Sequence, residues 1–379
     1  MTYTYSGEDC RDFLRHSPDT TPGPLGGVMP HRLPSRLRGQ IPDPFFTWVE
    51  ACPVGVTLEL TISAPTVVRI CAYTLDDGTP HCSVGSRGTW RSREVTGAGR
   101  LIPDMAHHSF TLQPGTPMSI TLEPDSDITA DESRHATHQA FTVLLPHACM
   151  VECLSIVSDA PVTPTVPSTT TPRWTHYGSS ISHGTQAVNP ADRWPAQVAN
   201  TLSLDCTDLS LSGNAQLDPA VARTMAHTPA DIITAVIGIN IVNADSMRER
   251  TFVPAVHGFL DTLRDGQPDT PIVLFSACSC PIQEETPGPV VMRQDGSFAT
   301  VHRDVDQDDG ALKLSRTRTL LEQIVRSRGD PHLTLIDGRR LLGPDDTGYL
   351  KDNLHPDQVG IDLIASRFAA ILRPMIAAL

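Results

Sequence analysis

Ser180 lies in the run Gly178-Ser179-Ser180-Ile181-Ser182-His183-Gly184, a small-residue turn that follows an apolar stretch and leads toward a helical pattern. A serine so placed stands at the carboxyl edge of a predicted strand, where backbone N–H groups of the turn can face an anion. Far along the chain, Asp352-Asn353-Leu354-His355-Pro356 sets a carboxylate three residues before an imidazole, and the proline keeps His355 out of an ongoing helix. That spacing lets Asp352 accept a hydrogen bond from one ring nitrogen, fixing the tautomer so that the other nitrogen can take a proton from a serine. Leu211-Ser212-Gly213-Asn214 ends a second predicted strand, and Gly238-Ile239-Asn240 ends a third. The Gly213 N–H and the Asn240 amide are the kind of donor that stabilises charge developing on a carbonyl oxygen, where losing one costs roughly 3–4 kcal/mol of barrier. Together these groups suit nucleophilic acyl transfer.

Each feature also has an ordinary structural reading. A serine in a glycine-bounded turn is common turn chemistry, and Gly213 and Asn240 fit plain turn positions. The Asp352/His355 pair alone fits a surface pair ahead of a helix. What argues for chemistry is that all of them fall at successive strand ends, each meeting a separate demand of one reaction.

The elements that must position them follow from pattern. From Trp174 onward, apolar runs at Trp174 to Tyr177, Thr207 to Leu211, Ile232 to Ile237, Pro271 to Phe275 and Leu333 to Ile336 read as buried strands. Helical patterns alternate with them near Ala191 to Leu202, Pro219 to Met225, Thr251 to Arg264 and Ala311 to Arg328. The last, Gln358 to Leu379, carries Val359, Leu363, Ile364, Phe368 and Ile371 at helical spacing. This rhythm predicts an α/β domain with a mostly parallel sheet between helices, whose reactive groups gather beyond the carboxyl ends of the strands. Upstream the pattern is β: VTLELTISA from Val56, TVVRICAYT from Thr66, SFTLQ from Ser109, MSITLE from Met118, AFTVLLP from Ala140 and VECLSIVS from Val151 predict an antiparallel β-sandwich. The stretch Asp159 to Pro172 holds four prolines among small polar residues and reads as the boundary. The expected organisation is an arm over 1–27, a sandwich over 28–160, a linker over 161–172 and a catalytic domain over 173–379.

Composition narrows the partners. At 379 residues two domains are expected, and 39% hydrophobic with 19% charged residues is ordinary for a globular chain. A net charge of -14 without a Lys/Arg stripe argues against nucleic acid and anionic membranes. Nine cysteines without a framework spacing read as free thiols in a reducing compartment. The N-terminus shows no secretory pattern and no segment reaches the apolar length of a membrane span, so a cytoplasmic location is expected.

The segments GSSISHG, SGN, GIN and DNLHP resemble the four blocks of the SGNH hydrolase (GDSL esterase) superfamily, from Trp174 to the C-terminus. The resemblance implies a three-layer α/β/α sandwich in which Ser180 is the nucleophile, His355 the general base and Asp352 its orienter. It also implies an oxyanion hole made by the Ser180 N–H, Gly213 and Asn240. Two positions depart from the family: Ser179 stands where Asp is typical, and Ile241 follows Asn240 where many members carry Asp. Neither transfers a proton; they bear on subfamily and substrate. The YGSS form with an N-terminal sandwich is similar to two-domain carbohydrate esterases, which implies deacetylation of a sugar or small metabolite.

Other features are set aside. Asp304, Asp306, Asp308, Asp309 and Gly310 fit a calcium loop poorly, with the glycine misplaced and Ser315 where a Glu belongs. Cys278 and Cys280 are too close for a zinc pair, and His135 with His138 lacks partners, so no metal and no cofactor is expected. His183 fits either the pocket or the end of the turn, and Trp194 reads as packing. The loop from Pro281 to Asp309 either overhangs the site or is a surface excursion. Two rivals to hydrolysis stay open: an acyltransferase using the same triad, and a catalytically silent protein whose sandwich binds glycans. Trp48 and Trp90 are the only tryptophans upstream of the linker, and their exposure bears on that last reading. With so few aromatic platforms, buttressing or a homo-oligomer contact suits the sandwich better than independent sugar binding.

Overall fold

The computed structural model describes all residues except 42, 76–79, 88–90, 93–102, 105–107, 125–137, 166–167 and 303–309. They group into two compact units, one of residues 1–35, 50–169 and 188–191, the other of residues 36–49, 170–187 and 192–379. The predicted positions Trp90, His135 and Asp304 to Asp309 lie outside the described residues.

The first unit holds two six-stranded antiparallel sheets. One runs in the order Met118–Leu122, Thr66–Tyr73, Met150–Ser158, Val28–His31 and Asp19–Pro22, with Tyr3–Ser6 also pairing to Met150–Ser158. The other runs His108–Thr111, His81–Arg87, Gln139–Leu144, Thr57–Ile62 and Thr163–Pro164, with Leu14–Arg15 on Thr57–Ile62. Leu58, Leu60, Ile62, Val68, Ile70, Val143 and Ile156 close a common core. Alternation in Thr57–Ile62 does not leave its polar face wet: Glu59 is 4% exposed and accepts from the Thr57 and Thr142 hydroxyls at 3.0 and 2.9 Å. Hydrogen-bonded threonines replace water there.

The expected boundaries differ from the observed ones. Residues 1–27 are no arm: Tyr3–Ser6 is registered against Ser155 to Ser158, and the turn of helix Gly7–Phe13 buries Cys10 and Phe13 in the core. Strands of two to four residues carry too little alternation to be read from sequence. Within the expected linker, Thr163–Pro164 pairs with Leu60 and Thr61 at a sheet edge, where a proline without an N–H is tolerated. Residues 36–49 group with the second unit instead of the sandwich.

The second unit is built on a five-stranded parallel sheet in the order Asp205–Asp208, Arg173–Tyr177, Ile232–Ile237, Ile272–Ser276 and Leu333–Ile336. Ile232–Ile237 is buried along its whole length, as expected for a strand with helices on both faces. Helices Trp194–Leu202 and Gln358–Ile376 pack on one face around Trp174, Trp194, Phe275 and Phe368. Helices Pro219–His227, Glu249–Gly266 and Leu314–Arg328 form the other layer, with Phe259 against Tyr177 at 5.2 Å. The result is the α/β/α sandwich expected from the sequence. In the last helix the buried stripe is Ile361, Ile364, Ala365, Phe368 and Leu372, and Val359, read as part of the apolar face, is 57% exposed. Its place in the first turn, one residue after the helix start, turns it outward. No helix among the described residues is long and apolar enough to cross a membrane.

Candidate active site

The strand order reverses at Arg173–Tyr177, which has the second strand on one side and the third on the other. Such a switch point opens a crevice beyond the carboxyl ends, and here the first three strands each lead into one of the implicated turns. After Tyr177 the chain turns through Gly178 into a short helix, Ser180–His183. A Cβ on Gly178 would overlap the Ser182 hydroxyl at 2.2 Å, so only glycine permits a turn this tight. Ser179 caps the helix by accepting from the Ile181 N–H at 3.4 Å. Ser180 is the first helical residue, so its own N–H has no intrahelical acceptor.

The turn is held from behind by a buried ion pair. Arg193 Nη1 meets Asp208 Oδ2 at 2.7 Å and also donates to the carbonyls of Ser182 and His183. Burial alone would raise the Asp208 carboxyl, but the Arg193 charge, His176 and the Ser210 hydroxyl outweigh it and hold it at about 2. His183 ends the short helix and is 2% exposed, so it finishes the turn. Ile241 is fully buried.

His355 Nε2 stands 2.8 Å from Ser180 Oγ, and His355 Nδ1 stands 2.8 Å from Asp352 Oδ2. The other oxygen, Asp352 Oδ1, accepts from the N–H groups of Leu354 and His355 at 2.9 and 2.6 Å. Burial pushes the Asp352 carboxyl up, yet the His355 ring and these N–H groups bring it below the usual carboxylate range. An ionised Asp352 keeps the proton on Nδ1 and leaves Nε2 as the acceptor facing Ser180. Asn353 takes a left-handed conformation, φ 71°, which asparagine tolerates and which lets three residues bring carboxylate and ring together.

Asn240 is 1% exposed, and its Oδ1 accepts from the Ala215 N–H at 3.0 Å. That bond orients the amide, so Nδ2 is the end left to donate to a substrate oxygen. Gly213, φ 67°, lies in the same turn as Ala215. Ser180, His355 and Asp352 are thus brought together by direct hydrogen bonds, while Asn240 is tied to the turn carrying Gly213.

Two aromatic residues were missed by sequence. Phe298, in the hairpin Val290–Met292 with Phe298–Thr300, stands edge-on to the His355 ring at 5.4 Å and 73°. Its N–H donates to the Asp352 carbonyl at 2.8 Å, and its carbonyl accepts from Asn353 Nδ2 at 3.2 Å. The loop from Pro281 therefore overhangs the site. Phe45 is the second, with Cε1 2.9 Å from where a Cβ on Gly213 would stand. Only a short apolar helix could have signalled it. A mostly apolar cavity lined by Ile181, Trp194, Ile239, Cys278, Leu354 and Ile364 lies behind the catalytic turn. Ser180, His355, Gly213 and Asn240 are absent from its lining, so it is not the face where chemistry occurs.

The nine thiols form no disulfide, and burial pushes Cys278 and Cys280 up to about 12, so neither is a competing nucleophile. Among the described residues no group of three or more His, Cys, Asp or Glu side chains is arranged to hold a metal ion. Trp48 is half-buried.

Residues 173–281 match the sequence model of the GDSL-like Lipase/Acylhydrolase family. No curated protein matches the chain in sequence. Among solved structures, a salicylyl-acyltransferase from a tetracycline biosynthetic pathway is similar over 99% of this chain and 97% of its own, with 21% identity and a TM-score of 0.77. A putative GDSL-like lipase from Bacteroides ovatus is similar over 100% and 98%, with 16% identity and a TM-score of 0.68. A family two carbohydrate esterase from Cellvibrio japonicus is similar over 100% and 98%, with 12% identity and a TM-score of 0.56. The fold of the whole chain is the one these proteins share.

Proposed function

We propose that this SGNH-type carboxylic ester hydrolase removes short acyl groups, acetyl foremost, from the hydroxyls of a sugar or small metabolite, through an acyl-enzyme on Ser180. The observation that carries the reading is the continuous relay from Asp352 through His355 to Ser180 Oγ, closed by two hydrogen bonds of 2.8 Å. Ser180 Oγ attacks the ester carbonyl as His355 Nε2 takes its proton, and the imidazolium that forms is stabilised by ionised Asp352. The carbonyl oxygen gains charge between the Ser180 N–H, the Gly213 N–H and Asn240 Nδ2, the last of which is oriented before substrate arrives by the bond from the Ala215 N–H. Collapse expels the alcohol, which takes the proton from His355. Water then repeats the attack on the acyl-enzyme, with His355 again as base.

The sugar or small-metabolite part of the reading draws on the similarity to a carbohydrate esterase. A second reading, transfer of the acyl group to an alcohol, draws on the similarity to an acyltransferase over 99% of this chain. The two differ only in which nucleophile reaches the acyl-enzyme. The assembled relay speaks against a silent glycan-binding protein. Turnover of p-nitrophenyl acetate and of an acetylated sugar should be lost in Ser180→Ala at unchanged melting temperature. Adding alcohol acceptors and measuring the product ratio separates hydrolysis from transfer. Full activity in Ser180→Ala would overturn the assignment.

A further inference from the structure

The first turn of the helix Pro44–Ala51 carries two phenylalanines that behave in opposite ways. Phe46 is buried at 2%, whereas Phe45 is 50% exposed and sets its ring edge against Gly213, the residue assigned to the oxyanion hole. The start of this helix is pinned: Asp43 Oδ1 accepts from the Phe46 N–H at 2.6 Å, and the Asp43 carbonyl accepts from the Thr47 hydroxyl at 2.9 Å. Just upstream, Gln40 Oε1 accepts from Arg223 Nη1 at 3.0 Å, tying the segment to the helix Pro219–His227. These bonds fix the backbone from which the half-exposed Phe45 ring projects.

We propose that Phe45 is a specificity-determining residue that walls off the acyl side of the site and limits the length of the acyl group. The inference rests on the acyl-enzyme reading given above. In the tetrahedral intermediate the leaving oxygen must lie within reach of His355 Nε2, on the side where Phe298 stands. The oxyanion lies among the Ser180, Gly213 and Asn240 donors. Phe45 Cε1 lies 2.9 Å from where a Gly213 Cβ would stand, beside the oxyanion donors, so the substituent left to face its ring is the acyl chain. A short acyl group fits beside the ring, and a longer one must displace it. The close approach also gives Gly213 a second reason to be glycine, because a Cβ would strain a backbone at φ 67° and collide with the ring.

The test compares kcat/KM of wild type, Phe45→Ala and Phe45→Trp for p-nitrophenyl acetate, butyrate and hexanoate, which share one leaving group. A second series holds the acetyl group constant and varies the alcohol. Phe45→Ala should raise the hexanoate-to-acetate ratio about tenfold, the scale on which apolar pockets discriminate, and Phe45→Trp should lower the butyrate-to-acetate ratio. A ratio between two substrates cancels any loss of folded enzyme. An unmoved acyl ratio, or a change that follows the alcohol series instead, would overturn the role of Phe45. Wild type without Ser180-dependent turnover of any ester would overturn the underlying reading, and this inference with it.

Discussion

Glu152 in the sandwich and Asp352 in the catalytic unit are both carboxylates held by backbone N–H groups, yet they end in different places. Glu152 is fully buried and accepts from Leu25 and Gly27 N–H groups at 2.9 and 2.7 Å and from the Tyr73 hydroxyl at 2.6 Å. A Cβ on Gly23 would overlap it, so the loop 23–27 is shaped around the carboxylate. Every donor there is spent on holding a fold. Asp352 also accepts from two N–H groups, but its third partner is an imidazole whose far nitrogen faces a serine hydroxyl. Burial alone does not mark a functional carboxylate. What marks it is a hydrogen-bond chain that ends on an atom able to react.

That distinction fails if the two networks respond alike to mutation, and the sharpest trial is His355→Ala. It should lower kcat for a generic ester by on the order of 10⁵- to 10⁶-fold, as removal of the base does in serine hydrolases, without lowering the denaturant midpoint. Asn240→Ala comes next: a loss of roughly 10²- to 10³-fold in kcat, concentrated in kcat over KM, is expected if its amide meets the oxyanion. Loss of the bond to the Ala215 N–H lowers stability in either case, so a purely structural Asn240 is recognised by unchanged turnover of the folded enzyme. Glu152→Ala should do the opposite, costing on the order of 2 kcal/mol in urea unfolding by orphaning the buried Gly27 N–H and two part-buried donors, the Leu25 N–H and the Tyr73 hydroxyl, while kcat per folded molecule holds. A large fall in kcat there would break the separation between the networks.

The smallest effect concerns pH. His176 is fully buried, donates or accepts at the Thr234 hydroxyl at 2.7 Å, and burial pushes it down to about 4. Below its unfolded value the denatured chain takes up a proton that the native one does not, so stability is full above about pH 6.5 and falls as pH drops toward 4. Between pH 7.5 and 5.5 this group should remove about 1.4 kcal/mol. Denaturant curves of wild type and His176→Asn at both pH values check it: the variant should lose that increment of pH sensitivity. An equal slope in the two proteins would contradict it.

The catalytic unit was largely legible because its strands are long, apolar runs separated by helical periods, so Ser180, Gly213, Asn240 and the Asp352/His355 pair could be placed at strand ends. The sandwich was less so. Strands such as Tyr3–Ser6 and Asp19–Pro22 are short and polar, and their identity comes from partners more than a hundred residues away or from a single turn. Among the site's groups, Phe45 and Phe298 were invisible for a related reason: each reaches the site from a segment with no chemical signature of its own. The Arg193/Asp208 pair behind the Ser180 turn is likewise illegible, since a buried ion pair between a helix start and a strand end has no local pattern.

The central claim is that Ser180 is an activated nucleophile. A fluorophosphonate, whose phosphorus accepts attack by such a serine and loses fluoride, tests it directly when the labelled peptide is mapped by mass spectrometry. One equivalent of adduct on Ser180 is predicted in wild type, with none in Ser180→Ala and strongly slowed labelling in His355→Ala. Stoichiometric labelling of any other residue, or a wild-type protein that stays unlabelled while turning over ester, would contradict the account.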